Sequence, residues 1–405
     1  GEAGMGGITT EEALCLVLQH TPVIQEKEQI QIANISGRVL AEDVKTVFDN
    51  PPFHRSPIDG YACRAADLTG ASKEQPVCLT VLREIDAGDY SEEEVQPGQA
   101  VRIMTGAAIP PGCDCCVRQE DTDYGEETVQ IYKAEQSWGN YCFRGEDFKA
   151  GQVLLKADRE LGFVEAGVLA GMGIPEVAVY RRPRIAVLTT GNEVVQPGEP
   201  LAPGKIYDIN QKLLAARLME LGVELLEARS VPDEPEQMAE ALKKAAKEAD
   251  LIVTTGAVSV GKKDIMHESL ARIGAERVFW GIQVKPGMPT LFSDYQGIPV
   301  MSLSGNPFSA LVITELLLRP MLAKMMRKPS LDLVRVQGTL ADAFGKPSPG
   351  RRFVRAYWEK GIFHLPEGLN SNGVLASMVG CNCLLDVPAG SEALKPGDEA
   401  EAILL

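Results

Sequence analysis

Residues 251–264 read LIVTTGAVSVGKKD. Leu251 to Thr254 is a short, unalternating apolar and β-branched run, the pattern of a strand buried on both faces of a parallel sheet. The glycine- and hydroxyl-rich segment that follows cannot usefully prolong that strand. It can present backbone N–H groups and hydroxyls at the strand's carboxyl end, where open α/β sheets hold their ligands. Asp264 precedes the apolar spacing Ile265, Leu270 and Ile273, so it is placed to cap a helix. The loop suits an anionic, phosphate-bearing ligand, with an ordinary βα turn as the plain alternative. It is not a Walker A loop, because Lys262 is not set in GxxxxGK[ST].

The sequence on either side alternates in the same way. A strand at 184–188 runs into TTGNE (189–193), and Tyr207-Asp208-Ile209-Asn210 leads into a helix at 211–221. An extended segment at 223–231 is followed by Asp233-Glu234-Pro235, which starts a helix through 247. After the helix at 265–273 come an extended segment at 278–284, Lys285-Pro286-Gly287-Met288-Pro289, and a strand at 298–303. Ser304-Gly305-Asn306-Pro307 then opens a helix at 308–326 that breaks near Pro320. Asn306 as N-cap with Pro307 at the first helical position makes a helix N-terminus suited to an anion. This alternation predicts a three-layer α/β/α domain with a mostly parallel sheet.

Further out, the pattern changes on both sides. Thr9 and Glu12 fit a capping box ahead of an apolar helical run, and 161–173 suits a glycine-rich helix. Residues 1–7 read as a flexible leader outside the fold. Prolines 51, 52 and 57 stiffen the stretch before Asp59-Gly60, where Asp59 is either a turn former or a rigidly presented carboxylate. From 61 to 150 short strands separated by Gly, Pro and Asp turns predict a small β domain. Met104-Thr105-Gly106-Ala107 ends one of them, and Arg144-Gly145-Glu146-Asp147 lies in a loop whose charges could simply be solvated. After Pro329, short strands return and suit a C-terminal β-barrel or sandwich. The resulting division is 8–50 with 150–181 as a discontinuous, elongated α+β N-terminal region, 51–149 as an inserted β domain, 182–328 as the α/β domain and 329–405 as the barrel-like domain.

Composition narrows the chemistry. In 405 residues, 40 Lys and Arg face 56 Asp and Glu, a net charge of −16. That balance argues against a nucleic acid or an anionic membrane as the main partner. No apolar run approaches the length of a membrane span, and no signal peptide is evident. The nine cysteines form no disulfide-like framework, which fits a reducing cytoplasm. Cys113, Cys115 and Cys116 alternate across a strand with no histidine beside them, so buried thiols are expected rather than a metal site. The four histidines show no ligand spacing.

Three strand ends carry Thr/Ser/Gly/Asn loops, and parallel strands must open them at one sheet edge. Thr190, Gly191, Thr255, Gly256, Ser259, Gly261, Gly305, Asn306 and Pro307 line these loops as candidate ligand-binding residues. Glu193, Asp208, Asp233 and Asp264 lie around the same edge, and helix capping is the plain reading of Asp233 and Asp264. Carboxylates beside a phosphate cradle repel the ligand unless a cation intervenes. Mg²⁺ held by one or two carboxylates and substrate phosphate oxygens resolves that conflict. Lys285, fixed by the Pro-Gly after it, would add direct positive charge, or is a surface lysine in a turn.

The motifs taken together are similar to a known family. PFHRSPIDGYA (52–62), MTGA (104–107), RGED (144–147), TTGNE (189–193), IYDIN (206–210), TTGAVSVGKKD (254–264), KPG (285–287) and SGNP (304–307) resemble the molybdopterin molybdenumtransferases, the MoeA and gephyrin E-domain family. The likeness runs in order over essentially the whole chain, and the motifs before residue 150 separate it from the related molybdopterin adenylyltransferases. It implies a homodimer with each site shared between subunits, which takes adenylylated molybdopterin and molybdate and releases AMP in a Mg²⁺-dependent step. It also implies that Asp59, Thr105 and Asp147 face the cleft from the partner chain. Glu193, Asp233 and Asp264 would handle metal and substrate, while Ser259, Lys285, Asn306 and Ser309 would contact phosphate or oxyanion. A molybdopterin adenylyltransferase is the implied upstream partner.

The chain departs from the family pattern at several points. Ala257 replaces the second glycine of TSGGVSVG, Met288 the lysine of KPGKP, Ser304 the proline of PGNP, Pro57-Ile58 the commoner Ala-Met, and Gly281 a lysine of some members. An alanine held at positive φ costs roughly 1 kcal/mol. Retention of the carboxylates and Lys285 favours an active enzyme. The alternatives are a non-catalytic pterin-binding scaffold, a tungstate-specific paralogue, or the adenylyltransferase step itself.

Overall fold

A computed structural model describes residues 6–258 and 264–405. The chain divides into two compact units, Gly1–Glu28 with Val179–Leu405, and Gln29–Ala178.

The larger unit is built on one sheet of six strands: β1 (Arg184–Thr189), β2 (Glu224–Ser230), β3 (Leu251–Thr255), β4 (Glu276–Trp280), β5 (Leu291–Tyr295) and β6 (Ile298–Leu303). Their order is β2-β1-β3-β6-β5-β4. The first four in that order are parallel, and β5 and β4 are antiparallel additions at one side. Helices α1 (Asn210–Glu220), α2 (Pro235–Ala245), α3 (Ile265–Arg272), α4 (Pro307–Ile313) and α5 (Arg319–Met326) complete the unit's α/β part. Alternate residues of one strand serve opposite layers. Ile185 and Val187 join Leu214, Leu218 and Phe308 from α1 and α4, whereas Ala186 and Leu188 join Met238, Leu242 and Met266 from α2 and α3. That is why the key strand shows no alternation. Leu251, Ile252 and Val253 are all fully buried, each contributing roughly 1.5–3 kcal/mol.

The chain order reverses between β1 and β3, so ligands are expected beyond the carboxyl ends of those strands. Strand β5 is unannounced by the sequence pattern. It forms a hairpin with β6 through Gln296 and Gly297, whose φ angles of 53° and 87° define a type I′ turn without the usual Asn-Gly signal. The expected break near Pro320 is instead a π-helical turn, Thr314–Leu318, between α4 and α5. Proline lacks the N–H that would bond the residue four back, and widening the turn lets the helix continue.

Five C-terminal strands close a barrel in the order Arg335–Leu340, Ile362–His364, Arg352–Glu359, Cys383–Val387, Glu399–Leu404. Phe353, Leu384 and Ile403 share the core cluster of α1, α4 and α5. Not all of the leader lies outside the fold. Gln283 donates to the Gly7 carbonyl (2.9 Å), and Ile8 bonds the Gly281 carbonyl (3.1 Å), so Gly7 packs against Gly281.

The smaller unit centres on a sheet ordered Cys115–Arg118, Gly60–Cys63, Gln99–Ile103, Val77–Ile85, Thr128–Ile131. The strand Gly60–Cys63 starts where the sequence suggests a turn. Gly60 is required there, because a Cβ would lie 1.8 Å from the Val117 carbonyl oxygen. Cys113, Cys115 and Cys116 are buried free thiols, as the alternation indicates.

Candidate active site

Parallel pairing sets Thr189 beside Thr255 and Thr255 beside Leu303, so three loops leave one line. The ladder extends one residue further, with Thr190 N–H donating to Thr255 O (3.0 Å) and Gly256 N–H to Leu303 O (3.1 Å). Gly256 has φ +90°, and a Cβ there would meet the Thr190 carbonyl oxygen at 2.2 Å. Only glycine lets these loops touch. A Cβ on Gly305 would approach Gly256 Cα at 3.7 Å, which places the third loop against the other two. Asn210 of α1 holds that loop through Gly305 O (2.9 Å). Ala257 has φ 51°, the left-handed conformation suspected from the lost glycine.

The acidic residues divide by role. Asp233 is not a helix cap, because α2 has Glu234 at its N-cap position. Its Oδ1 instead accepts from Thr190 Oγ1 at 3.2 Å. The Glu193 carboxylate folds over the neighbouring glycine, with both oxygens 2.9 Å from where a Gly191 Cβ would be. Two carboxylates therefore attend consecutive residues of the β1 loop. Asp208 is buried and accepts from Thr189 Oγ1 (2.7 Å), Gln196 Nε2 (3.3 Å) and Gln211 N–H (3.1 Å). It ties the end of β1 to the first turn of α1.

Asp264 is the N-cap of α3, accepting from His267 N–H at 3.5 Å. Its Oδ2 also lies 3.3 Å from His267 Nε2. Burial pushes the Asp264 carboxyl above its ordinary value, against the pull of His267 and Arg277. Burial pushes the His267 imidazole down, aided by Arg277 and opposed by Asp264. His267 stands edge-on to Trp280, 4.8 Å between centroids. Sequence reading passed over this histidine, although Asp-x-x-His at a helix start carries the signal. Ser259, Gly261 and Lys262 lie outside the described residues. Among the described residues, no group of three or more His, Cys, Asp and Glu is gathered as a metal cluster.

On the other helical terminus, Asn306 caps α4 without a side-chain bond, and Pro307 opens the helix. Ser304 Oγ accepts from Asn306 N–H at 3.2 Å, and Ser309 is buried. Beside α4 lies a cavity of about 380 Å³ whose lining includes Lys285, Lys346, Arg352, Arg355 and Asn370–Gly373. The described residues that line it include no carboxylate. Lys285 is fixed by its backbone, its carbonyl accepting from Phe353 N–H and its N–H donating to Arg351 O, both 2.9 Å. Arg355 is fully buried over the Phe308 ring at 3.9 Å, donating to Val374 O, Ser377 Oγ and Ser371 O. Sequence reasoning found Lys285 here and missed Arg352 and Arg355, which read as residues of an ordinary strand.

Asp59, Thr105 and Asp147 belong to the smaller unit. Asp59 Oδ1 accepts from both Thr105 N–H (2.9 Å) and Thr105 Oγ1 (2.8 Å). These bonds, the backbone one foremost, hold its carboxyl below the ordinary value. Asp147 accepts from Asn50 Nδ2 at 3.2 Å.

A doubly wound sheet with touching glycine loops, flanking carboxylates and an adjoining cationic cavity is an α/β architecture whose loops gather at the carboxyl ends of the parallel strands, where such sheets hold their ligands. Residues 8–173 match the MoeA N-terminal region (domain I and II), 186–324 the probable molybdopterin binding domain, and 337–405 the MoeA C-terminal region (domain IV). The chain is 34% identical over 388 residues to the molybdopterin molybdenumtransferase of Staphylococcus epidermidis, covering 93% of each. With that of Bacillus subtilis strain 168 the identity is 33%, over 94% of this chain and 90% of the relative. The crystal structure of a molybdopterin biosynthesis moeA protein from Pyrococcus horikosii superposes with a TM-score of 0.86 at 31% identity, over 98% of this chain and 99% of that one. The chain belongs to the MoeA family of molybdopterin molybdenumtransferases.

Proposed function

We propose that this chain inserts molybdenum into molybdopterin, taking molybdate and adenylylated molybdopterin and releasing AMP. The observation that carries this reading is the pairing of two dissimilar regions in one unit, an acidic edge built on glycine loops and a cavity whose charged lining residues are all cationic. Gly256 and Gly305 lock the three loops together at the carboxyl end of the parallel strands, where α/β sheets hold phosphate-bearing ligands. Glu193 and Asp233, both beside the β1 loop, suit a hard cation that retains waters and substrate oxygens. They would hold Mg²⁺, with Asp264 as a further candidate ligand. When bound, the ion supplies neutralising charge at the phosphate oxygens.

The cavity suits the second substrate. Molybdate is a compact dianion, and Lys285, Lys346 and Arg352 provide charge-assisted donors without a competing carboxylate. Buried Arg355 adds fixed positive charge beneath them. Arg352 and Lys346 also offset the cation absent at Met288. Asp59, Thr105 and Asp147 complete the site in a homodimer, contributed by the β unit of the other subunit. Thr105 orients Asp59 and keeps it ionised. The proposed domain limits are those read from the sequence, and the proposed location is the cytoplasm.

The test is direct. Purified protein incubated with adenylylated molybdopterin, Mg²⁺ and molybdate should release AMP and yield molybdenum-loaded cofactor. No AMP release at excess molybdate or tungstate would refute the enzyme and leave a binding protein. Consumption of ATP with unmodified molybdopterin would assign the adenylyltransferase step instead. Release with tungstate alone would reassign the metal.

A further inference from the structure

The smaller unit carries an aromatic cluster for which the reaction above gives no account. Trp138, Tyr141, Phe143 and His54 lie with ring centroids 4.9–5.8 Å apart in five edge-on or tilted pairs. Rings of this size normally hide, yet Trp138 is 54% and Phe143 45% exposed. The turn that presents them is firmly built. Trp138 N–H donates to Asp114 O (2.5 Å), Ser137 Oγ to Asp114 Oδ2 (2.8 Å), Cys116 N–H to Gly139 O (3.0 Å), and Asn140 Nδ2 to Cys116 O (3.0 Å).

The cluster is continuous with the candidate site residues of its unit. Arg55 pairs with Cys142 on one edge and with Ala108 on the other, so His54 to Ser56 form the rib between two loops. One loop continues from Phe143 into Arg144 and Asp147, and Arg144 N–H donates to His54 Nδ1 at 2.9 Å. The other loop holds Thr105, which is bonded to Asp59. Aromatic faces and anion-handling loops thus share one hydrogen-bonded frame.

We propose that Trp138 and Phe143 form a stacking platform for a flat nitrogen heteroaromatic ring of the substrate. This rests on the function proposed above, whose substrate carries two such rings, adenine and the pterin. Stacking on an aromatic face contributes measurably to affinity and needs no hydrogen-bond code. Trp138 is T-shaped to Tyr141 and Phe143 to His54, the two exposed rings are tilted by 50° to each other, and either one offers a surface on which a flat ring can stack.

Binding of two separate probes, 5′-AMP and 6-hydroxymethylpterin, is measured by calorimetry on the full chain, the Trp138→Ala/Phe143→Ala variant and Trp138→Phe. A roughly tenfold rise in Kd for one probe is expected in the double variant, with Trp138→Phe close to the parent. Loss confined to AMP places the adenine on the platform, and loss confined to the pterin places that ring there. Unchanged affinity for both probes in a folded double variant overturns the platform, as does failure of the parent to bind either at millimolar concentration. AMP release from adenylylated molybdopterin by the parent is followed separately. A parent that turns over while the double variant binds both probes normally retains the proposed function and loses only the platform.

Discussion

The loops at the carboxyl edge of the sheet and the cavity beside α4 belong to one unit but have opposite electrostatics. At the edge, Glu193 lies over Gly191, Asp233 accepts from the Thr190 hydroxyl, and Asp264 stands at the start of α3. In the cavity, four cationic side chains converge with no carboxylate among the described lining residues. A chain of net charge −16 therefore conceals a local basin of positive charge. Overall charge decides which bulky partners are attracted, whereas a small anion responds to groups within a Debye length of about 8–10 Å. On the function proposed above the two regions take different ligands, one through a mediating cation and one by holding an oxyanion directly.

The comparison breaks most sharply at the acidic edge. Asp233→Asn preserves size and can still accept from Thr190, but removes the charge a divalent ion requires. Turnover is expected to fall about 1,000-fold, equivalent to about 4 kcal/mol, with thermal stability little changed. Single-turnover AMP release across a Mg²⁺ titration checks it. A rate near that of the parent would mean that Asp233 only positions Thr190.

Two adjacent arginines of the barrel provide a control for the basic region. Arg351 is paired with Asp386 (2.7 Å) and contacts Glu11, whereas Arg352 stands beside the cavity over the Phe344 ring, its Nε without a hydrogen-bond partner among the described residues. Burial raises the Asp386 carboxyl, but hydrogen bonds and charge from Arg351 and Arg335 outweigh it and hold the group low. Arg351→Ala should cost about 3 kcal/mol of stability by leaving a buried carboxylate half-paired, without altering the molybdate requirement. The sign of the pH effect follows from the depressed carboxyl. Its contribution is complete above the unfolded pKa of about 3.9 and is lost as pH falls through the folded value. Denaturant unfolding followed at Trp358 should show the full difference at neutral pH and a shrinking one below about pH 4. Arg352→Ala should do the reverse, leaving stability alone and raising the molybdate KM about tenfold. If both variants behave alike, the distinction between structural and substrate-facing arginine fails.

The sequence disclosed these regions unequally. The acidic edge was legible because strand, glycine loop and carboxylate are contiguous, and parallel pairing leaves only one edge where the loops can meet. Even so, Asp233 and Asp264 looked alike as caps, and only the fold separated them: Glu234 takes the cap of α2, while Asp264 does cap α3. The cavity depends on residues some 60 to 90 positions apart, brought together when Lys285 pairs with Arg352 across to the barrel. No local period encodes that contact. RRFVRAYW reads as a plain strand with nothing to set its arginines apart, and Arg355 is fully buried. Strand β5 was hidden for a different reason, since its turn uses Gln296 where Asn or Asp usually marks the type I′ bend.

The smallest expected effect lies at Ala257. Its φ of 51° is one that a Cβ disfavours, and its methyl packs partly against the α2 and α3 layer while its carbonyl accepts from Met266 N–H at 3.1 Å. Ala257→Gly relieves left-handed strain of about 1–2 kcal/mol and gives back roughly half through the added freedom of the unfolded chain. A net gain of about 0.5–1 kcal/mol is expected, read as a rise in the unfolding midpoint of the larger unit. The same change frees the backbone of the loop that follows Gly256 and touches no residue lining the cationic cavity. The KM for adenylylated molybdopterin is expected to change while that for molybdate stays constant. A shift in the molybdate KM instead would show that the two regions are coupled, and that their opposite charges serve a single bound species rather than two.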